Sequence, residues 1–208
     1  MLALAEESRR TALRLVEATS IWHEVNNREL FGGLDVKLEP GACLSVTGTN
    51  GSGKSTLLRI LAGLLRPRRG HLHWQEGIVG LVGDKHGLSP ALTVRTNLDW
   101  YQRMVSTRRD RALVERAAEV LDIGELLDRP VGTLSTGQAQ RSGLARLFVA
   151  SHDLWLLDEP LSHLDADRAA ALVRQADEHV KQGGAAVLAT HQSLPIATTR
   201  EVHLPATG

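Results

Sequence analysis

A single cysteine, Cys43, occurs in the 208 residues of this chain. No internal disulfide can form, and a reducing cytosolic setting is the simpler expectation. Cys43 stands in the apolar run Ala42-Cys43-Leu44-Ser45-Val46, which reads as a small buried core residue rather than a reactive thiol. Net charge is also lacking: 24 Lys+Arg balance 24 Asp+Glu. A balanced chain offers nucleic acid no global attraction, so nucleic acid is not expected as a partner and only a local basic patch stays open. No apolar run approaches the ~20 residues of a membrane span; the run at 154–157 is cut at once by Asp158-Glu159. The first ten residues, MLALAEESRR, have no basic start followed by a long apolar region, so no secretory signal is expected there. Internal repeats, low-complexity tracts and coiled-coil insertions are absent too. Work at a membrane would therefore require docking on a partner that spans it.

What is present fits an ordinary globular protein, with 42% hydrophobic and 23% charged residues. The length suits one sizeable domain, or one domain with a lobe inserted into it. Residues 1–12 read as a loose or short helical leader without assigned function. Residues 13–21 alternate as an edge strand does, and residues 34–38 as a half-buried strand. Between them lie the polar residues Asn26-Asn27-Arg28-Glu29. After the turn at Pro40-Gly41 comes a buried strand at 42–47, a glycine-rich loop at 48–53 and a helix at 55–65 ended by Pro67. Arg66, Arg68 and Arg69 put positive charge at the end of that helix, where its dipole favours it. Short strands follow at 72–74 and 78–82. The pattern then turns helical, at 94–105, 108–121 and about 137–150, before a buried strand at 154–157, a helix at 165–182 and a buried strand at 185–190. A last strand is expected at 202–204. Buried strands alternating with helices predict a parallel sheet covered on both faces, with a helical lobe set into it.

The loop Gly48-Thr49-Asn50-Gly51-Ser52-Gly53-Lys54-Ser55 fits G-x-x-x-x-G-K-[ST] between a strand and a helix, the context in which that pattern cradles phosphate. Glycines let the backbone curl until successive N–H groups point inward. The helix start that follows, with Thr56 in its first turn, adds partial positive charge. Lys54 would reach the β- and γ-phosphates, and the Ser55 hydroxyl would ligate Mg²⁺. The strand at 154–157 delivers Asp158-Glu159 beside this loop. Asp158 would hold Mg²⁺ through water, and Glu159 would act as general base on the water that attacks the γ-phosphate. Taken alone, such an acidic pair is as readily a helix cap or a surface pair.

A phosphate loop by itself leaves kinases, GTPases and helicases open. Leu134-Ser135-Thr136-Gly137-Gln138 narrows the choice, because it resembles the LSGGQ signature of ABC ATPases, shortly before the Asp158 strand. Ser162-His163-Leu164-Asp165 resembles that family's D-loop, and His191 its switch histidine. The resemblance spans nearly the whole chain in motif order. It implies a single α/β domain of P-loop NTPase (RecA-like) type over 1–208. The mostly parallel core at 13–88 and 151–205 would carry an antiparallel β edge, with an inserted α-helical subdomain at 89–150 bearing the signature. It implies ATP and Mg²⁺ as cofactors, and a homodimer or heterodimer of ATPase subunits. In that dimer Ser135 and the N–H groups near Gly137 bind the γ-phosphate of the ATP held by the other subunit. ATP closes the pair, and hydrolysis opens it. His191 would contact the γ-phosphate, and Asp165 would communicate across the dimer. Transmembrane permease subunits are the implied partners, and the cytoplasmic face of the inner membrane the implied peripheral location.

The sequence also departs from the family pattern. The Q-loop glutamine falls at Lys85, which has no neutral side-chain oxygen to offer Mg²⁺ and water; that role is either lost or passed to Asp84. Thr136 replaces the usual signature glycine. Trp22 is the candidate for adenine stacking, and equally an ordinary buried aromatic. Within the family the chain resembles the ATP-binding subunit of the haem exporter of cytochrome c biogenesis. The shared segments include Leu81-Val82-Gly83, Leu92-Thr93 with Asn97-Leu98, Leu156-Leu157-Asp158-Glu159-Pro160 and Thr190-His191-Gln192. The competing expectation is a soluble ABC ATPase acting on a partner such as an iron–sulfur scaffold. Ribosome-type members carry two ATPase units, and DNA-repair members carry coiled coils or zinc modules; neither pattern occurs here. An inert nucleotide-binding module is disfavoured by the presence of Lys54, Ser55, Asp158, Glu159 and His191.

Overall fold

Two asparagines set the first hairpin turn among the described residues. Asn26 and Asn27 both adopt left-handed angles, φ 51° and 60°, the conformation of a two-residue hairpin and one that asparagine tolerates. The computed structural model describes residues 15–75, 77–83, 86–106, 110–162, 164–190 and 199–205. The leader at 1–12, Asp84, Lys85, His163, His191 and Gln192 lie outside the described residues. In chain order the strands are β1 (Val16–Val25), β2 (Arg28–Leu38), β3 (Cys43–Gly48), β4 (Arg69–Trp74), β5 (Val79–Val82), β6 (Leu154–Asp158), β7 (Ala185–Ala189) and β8 (Thr199–Leu204). The α-helices are α1 (Lys54–Leu61), α2 (Val94–Val105), α3 (Arg111–Leu121), α4 (Thr136–Leu144) and α5 (Ala166–Lys181).

Strands β2, β1 and β4 form an antiparallel sheet in that order. The strand read at 13–21 as an edge is therefore the central one. Its buried Val16, Ala18 and Ile21 need neighbours on both sides, and the hairpin and β4 supply them. Strands β5, β6, β7, β3 and β8 form a second sheet with every pairing parallel. Alternation along these strands sorts the core into two layers, because successive side chains point to opposite faces. Leu154 and Leu156 of β6, with Val187 of β7 and Val46 of β3, pack with α1 and the antiparallel sheet. Trp155 and Leu157, with Leu188, pack with α2, α3 and α5. Cys43 is buried on this second face.

Helix boundaries follow local chemistry more tightly than apolar spacing did. Thr93 caps α2 and accepts from the Thr96 N–H. Asp110 caps α3, so that helix starts later than position 108. Helix α1 stops at Leu61, before the left-handed Gly63 (φ 71°), rather than running to 65. Helix α4 ends at Leu144 and tightens into a 3₁₀ turn over Ala145–Leu147, short of the expected 150.

One buried histidine ties the helices to the sheet. The Tyr101 hydroxyl of α2 lies 2.9 Å from His152 Nε2, just before β6. His152 is 7% exposed, and burial pushes its pKa down to about 4, with His179 and Arg146 pushing the same way and backbone hydrogen bonds opposing. The unfolded chain then binds more protons than the folded one between its ordinary value of 6.5 and about 4. His152 thus contributes stability in full above pH 6.5 that is lost as pH falls towards 4, worth about 3 kcal/mol across that window. Urea unfolding at pH 7.5 and 4.5 should show the loss, and His152→Gln should flatten it. An unchanged slope in the variant would assign the effect to another group.

Candidate active site

The loop that follows β3 and the end of β6 meet at one cleft of about 470 Å³, lined by Asn50, Gly51, Lys54, Ser55, Asp158 and Glu159 among others. Strand β3 delivers the glycine-rich loop and α1 leads away from it. Gly48 has φ 148°, and a Cβ there would lie 2.6 Å from the Leu204 carbonyl oxygen, so only glycine fits. Gly53 caps α1 at φ 99°. This turn places Lys54 at the start of the helix, 6% exposed. Its Nζ donates to the carbonyls of Gly48 at 2.9 Å and Thr49 at 3.3 Å, and lies 3.5 Å from Glu159 Oε1. Ser55 and Thr56 also line the cleft, while Ser52 is buried under the loop and donates its N–H to Thr49 O.

Strand β6 ends in Asp158, with β7 lying between it and β3. Gly83 closes against Asp158: a Cβ on Gly83 would sit 3.2 Å from that of Asp158. Glu159 has φ 46°, a left-handed backbone that costs a non-glycine residue about 1–2 kcal/mol. The surrounding hydrogen bonds hold it there. Its N–H donates to Ala189 O at 2.8 Å, and its carbonyl accepts from Ser162 Oγ at 2.6 Å. The bend turns the carboxylate out of the sheet and towards Lys54. Buried Thr190, just beyond β7, donates its N–H to Val46 O; His191 follows it in the sequence.

Trp22 is not brought to this cleft. It sits over Gly32, with the Arg69 guanidinium 5.1 Å from its ring centre. Val25 and Leu30, at the two sides of the hairpin, line the cleft instead. Neither carries an aromatic ring, so periodicity and composition gave no sign of them. Ser135 and Thr136 are exposed, apart from the cleft. Ser135 caps α4: its Oγ accepts from Gln138 N–H, and Gln138 Oε1 accepts from the Ser135 N–H at 3.0 Å. Leu134 packs on the core, and Gly137 lies in the first turn. Asp165 caps α5 and accepts from the Arg168 N–H.

A profile for ABC transporters matches residues 31–162. The chain belongs to the ABC transporter family. A cytochrome c biogenesis ATP-binding export protein, CcmA, from Cupriavidus necator is 38% identical over 198 residues, covering 90% of this chain and 87% of its own. The CcmA of Sodalis glossinidius is 39% identical, covering 84% of this chain and 88% of its own. The dimeric structure of MJ0796, a bacterial ABC transporter cassette, superposes with a TM-score of 0.80 at 19% identity, over 91% of this chain and 94% of that one. The fold is that of an ABC cassette, and the protein is an ATP-binding and ATP-hydrolysing subunit of this family. Among the described residues no helix is long and apolar enough to cross a membrane.

Proposed function

We propose that the chain binds ATP between its own phosphate loop and the signature of a second ATPase subunit, and that hydrolysis drives membrane-spanning partners. The observation that carries this reading is the convergence of Lys54, Ser55, Asp158 and Glu159 on one cleft. N–H groups of 48–53 cradle the phosphates, and Lys54 exchanges its loop carbonyls for β- and γ-phosphate oxygens. Ser55 and Asp158 both line the cleft and offer a hydroxyl and a carboxylate. These hard oxygen donors fit Mg²⁺, which keeps most of its shell for water and phosphate. The ion would spread the charge of the γ-phosphoryl group. Glu159 orients the attacking water and takes its proton, and His191 meets the γ-phosphate from the end of β7.

Residues 13–88 and 151–205 serve as the nucleotide-binding core, and residues 89–150 as the subdomain that presents the signature. Ser135 and the first turn of α4 reach the γ-phosphate on the second subunit. A groove of about 420 Å³ between these parts is lined by Leu58, Leu64, Met104 and Val105, with Arg59 and Arg146. Leu64 is 71% exposed and Met104 57%, a density of uncovered apolar side chains that suits a segment of a permease subunit. Placement at the cytoplasmic face of the inner membrane follows from that partner. The names of the CcmA relatives support export in cytochrome c biogenesis over a soluble iron–sulfur scaffold partner, and haem is the cargo proposed for it.

Affinity capture of the chain from membranes, paired with deletion of its gene, tests this. A co-purifying permease and loss of mature cytochrome c are expected. Capture with an unrelated permease and normal cytochrome c in the deletion strain would reject the haem reading.

A further inference from the structure

The helix that opens with the signature is wired to the loop that carries Glu159. Gln140 of α4 donates from Nε2 to Glu159 O at 3.3 Å and to Ser162 Oγ at 3.2 Å. Ser162 Oγ in turn donates to the same Glu159 carbonyl at 2.6 Å. The far side of the Glu159 residue is fixed by its N–H on Ala189 O. A residue in left-handed backbone has no local preference to hold it in place, so these contacts help set the backbone position from which its carboxylate reaches towards Lys54.

The adjacent position on α4 makes a second connection. Arg141 donates to the Leu121 carbonyl at 3.2 Å, the Asp122 carbonyl at 2.9 Å and the Asp122 carboxylate at 3.2 Å. Arg168 pairs with both Asp122 and Asp165. Helix α4 is thereby tied at one residue to the Glu159 loop and at the next, through Asp122 and Arg168, to the cap of α5. Ser135, whose side chain caps α4, is exposed at the other end.

We infer that Gln140 is a positioning residue that couples this subunit's Glu159 to the nucleotide its signature engages on the second subunit. When Ser135 closes on that nucleotide, α4 is held, and Gln140 holds the Glu159 carbonyl with it. Each cleft then gains its aligned base only when the opposite nucleotide is in place. The inference rests on the proposal that Glu159 is the base and that Ser135 meets ATP on a second subunit.

Gln140→Met keeps the volume but removes the donor. Gln140→Glu keeps the shape but turns an acceptor towards the carbonyl, and it carries the same test should the first variant not fold. Purified full-length chain should show kcat lowered about tenfold, the worth of about one hydrogen bond. KM for ATP, melting temperature and ATP-driven dimer formation in a Glu159→Gln background should be unchanged. An unchanged kcat overturns the inference, as does a loss of kcat matched by losses in dimer formation or melting temperature. Glu159→Gln assayed alongside separates the two claims. If it turns over normally, the base assignment fails; if it is inactive while both Gln140 variants keep full kcat, only the coupling fails.

Discussion

Lys54→Ala should weaken ATP binding by two to three orders of magnitude, measured by calorimetric titration of the purified chain. Lys54 is 6% exposed, and its ammonium lies 2.9 and 3.3 Å from two loop carbonyls and 3.5 Å from the Glu159 carboxylate. It is thus already desolvated and held where a triphosphate's terminal charge would lie. Charge-assisted bonds to phosphate are about twice as strong as neutral ones, and truncating one partner of a buried charged contact costs about 3–5 kcal/mol. That range corresponds to about two to nearly four orders of magnitude, and the stated loss takes its lower part because Lys54 is one of several groups on the phosphates. The same truncation removes the cation beside Glu159, so the cleft is left with Asp158 and Glu159 facing an anionic ligand. Alanine is the best helix former, but Lys54 is buried at the start of α1 and its loss unpairs the loop carbonyls and Glu159, so the variant is first shown to be folded by circular dichroism. Undiminished binding by a folded variant would remove the phosphate-site reading altogether.

The sequence made the parallel core legible because each buried strand is a short apolar run set between turn residues. Leu154-Trp155-Leu156-Leu157 is the plainest case: it reads as a strand whatever its neighbours, and the structure divides it between two core layers. The phosphate loop was equally plain, since its glycines are demanded by backbone angles such as φ 148° at Gly48. The hairpin was less so. Asn26-Asn27 reads as a polar break unless the turn is recognised as the type that needs left-handed residues, and missing it made β1 an edge. Helix ends depended on caps and on Gly63, which weigh more locally than the apolar period does.

Contacts between distant segments left no local mark. Gln140 and Glu159 are 19 positions apart, and neither residue type nor spacing relates them; only the packing of α4 over the loop does. Arg168 and Asp122 are 46 apart and meet for the same reason. The expected adenine contact shows the opposite case. Trp22 drew attention because aromatic rings stack on bases, yet the fold turns it onto Gly32 and Arg69. Val25, 46% exposed at the end of β1, and Leu30 occupy the cleft rim. Flat apolar contact from aliphatic side chains can cover a base as well as a ring can, at lower interaction strength per contact.

Glu159→Gln is the variant that separates binding from chemistry, because the exchange keeps the side chain's size and removes its basicity. Its carboxylate lies within 3.5 Å of Lys54 Nζ, at the place where a γ-phosphate and its attacking water would be held together. General-base catalysis contributes about 10²–10⁴-fold, so kcat should fall by at least about a hundredfold. Affinity for ATP should hold or rise, since a neutral amide no longer opposes the phosphate's charge. With hydrolysis blocked, the bridging γ-phosphate persists, and the chain should accumulate as an ATP-dependent dimer on size-exclusion chromatography, dispersing when ATP is replaced by ADP. The strained backbone at φ 46° is unaffected by the exchange, so folding should be preserved and inactivity cannot be blamed on collapse. Normal turnover by this variant would move the base elsewhere. Inactivity without a dimer would leave Glu159 as the base but withdraw the shared-nucleotide arrangement proposed for the exposed Ser135.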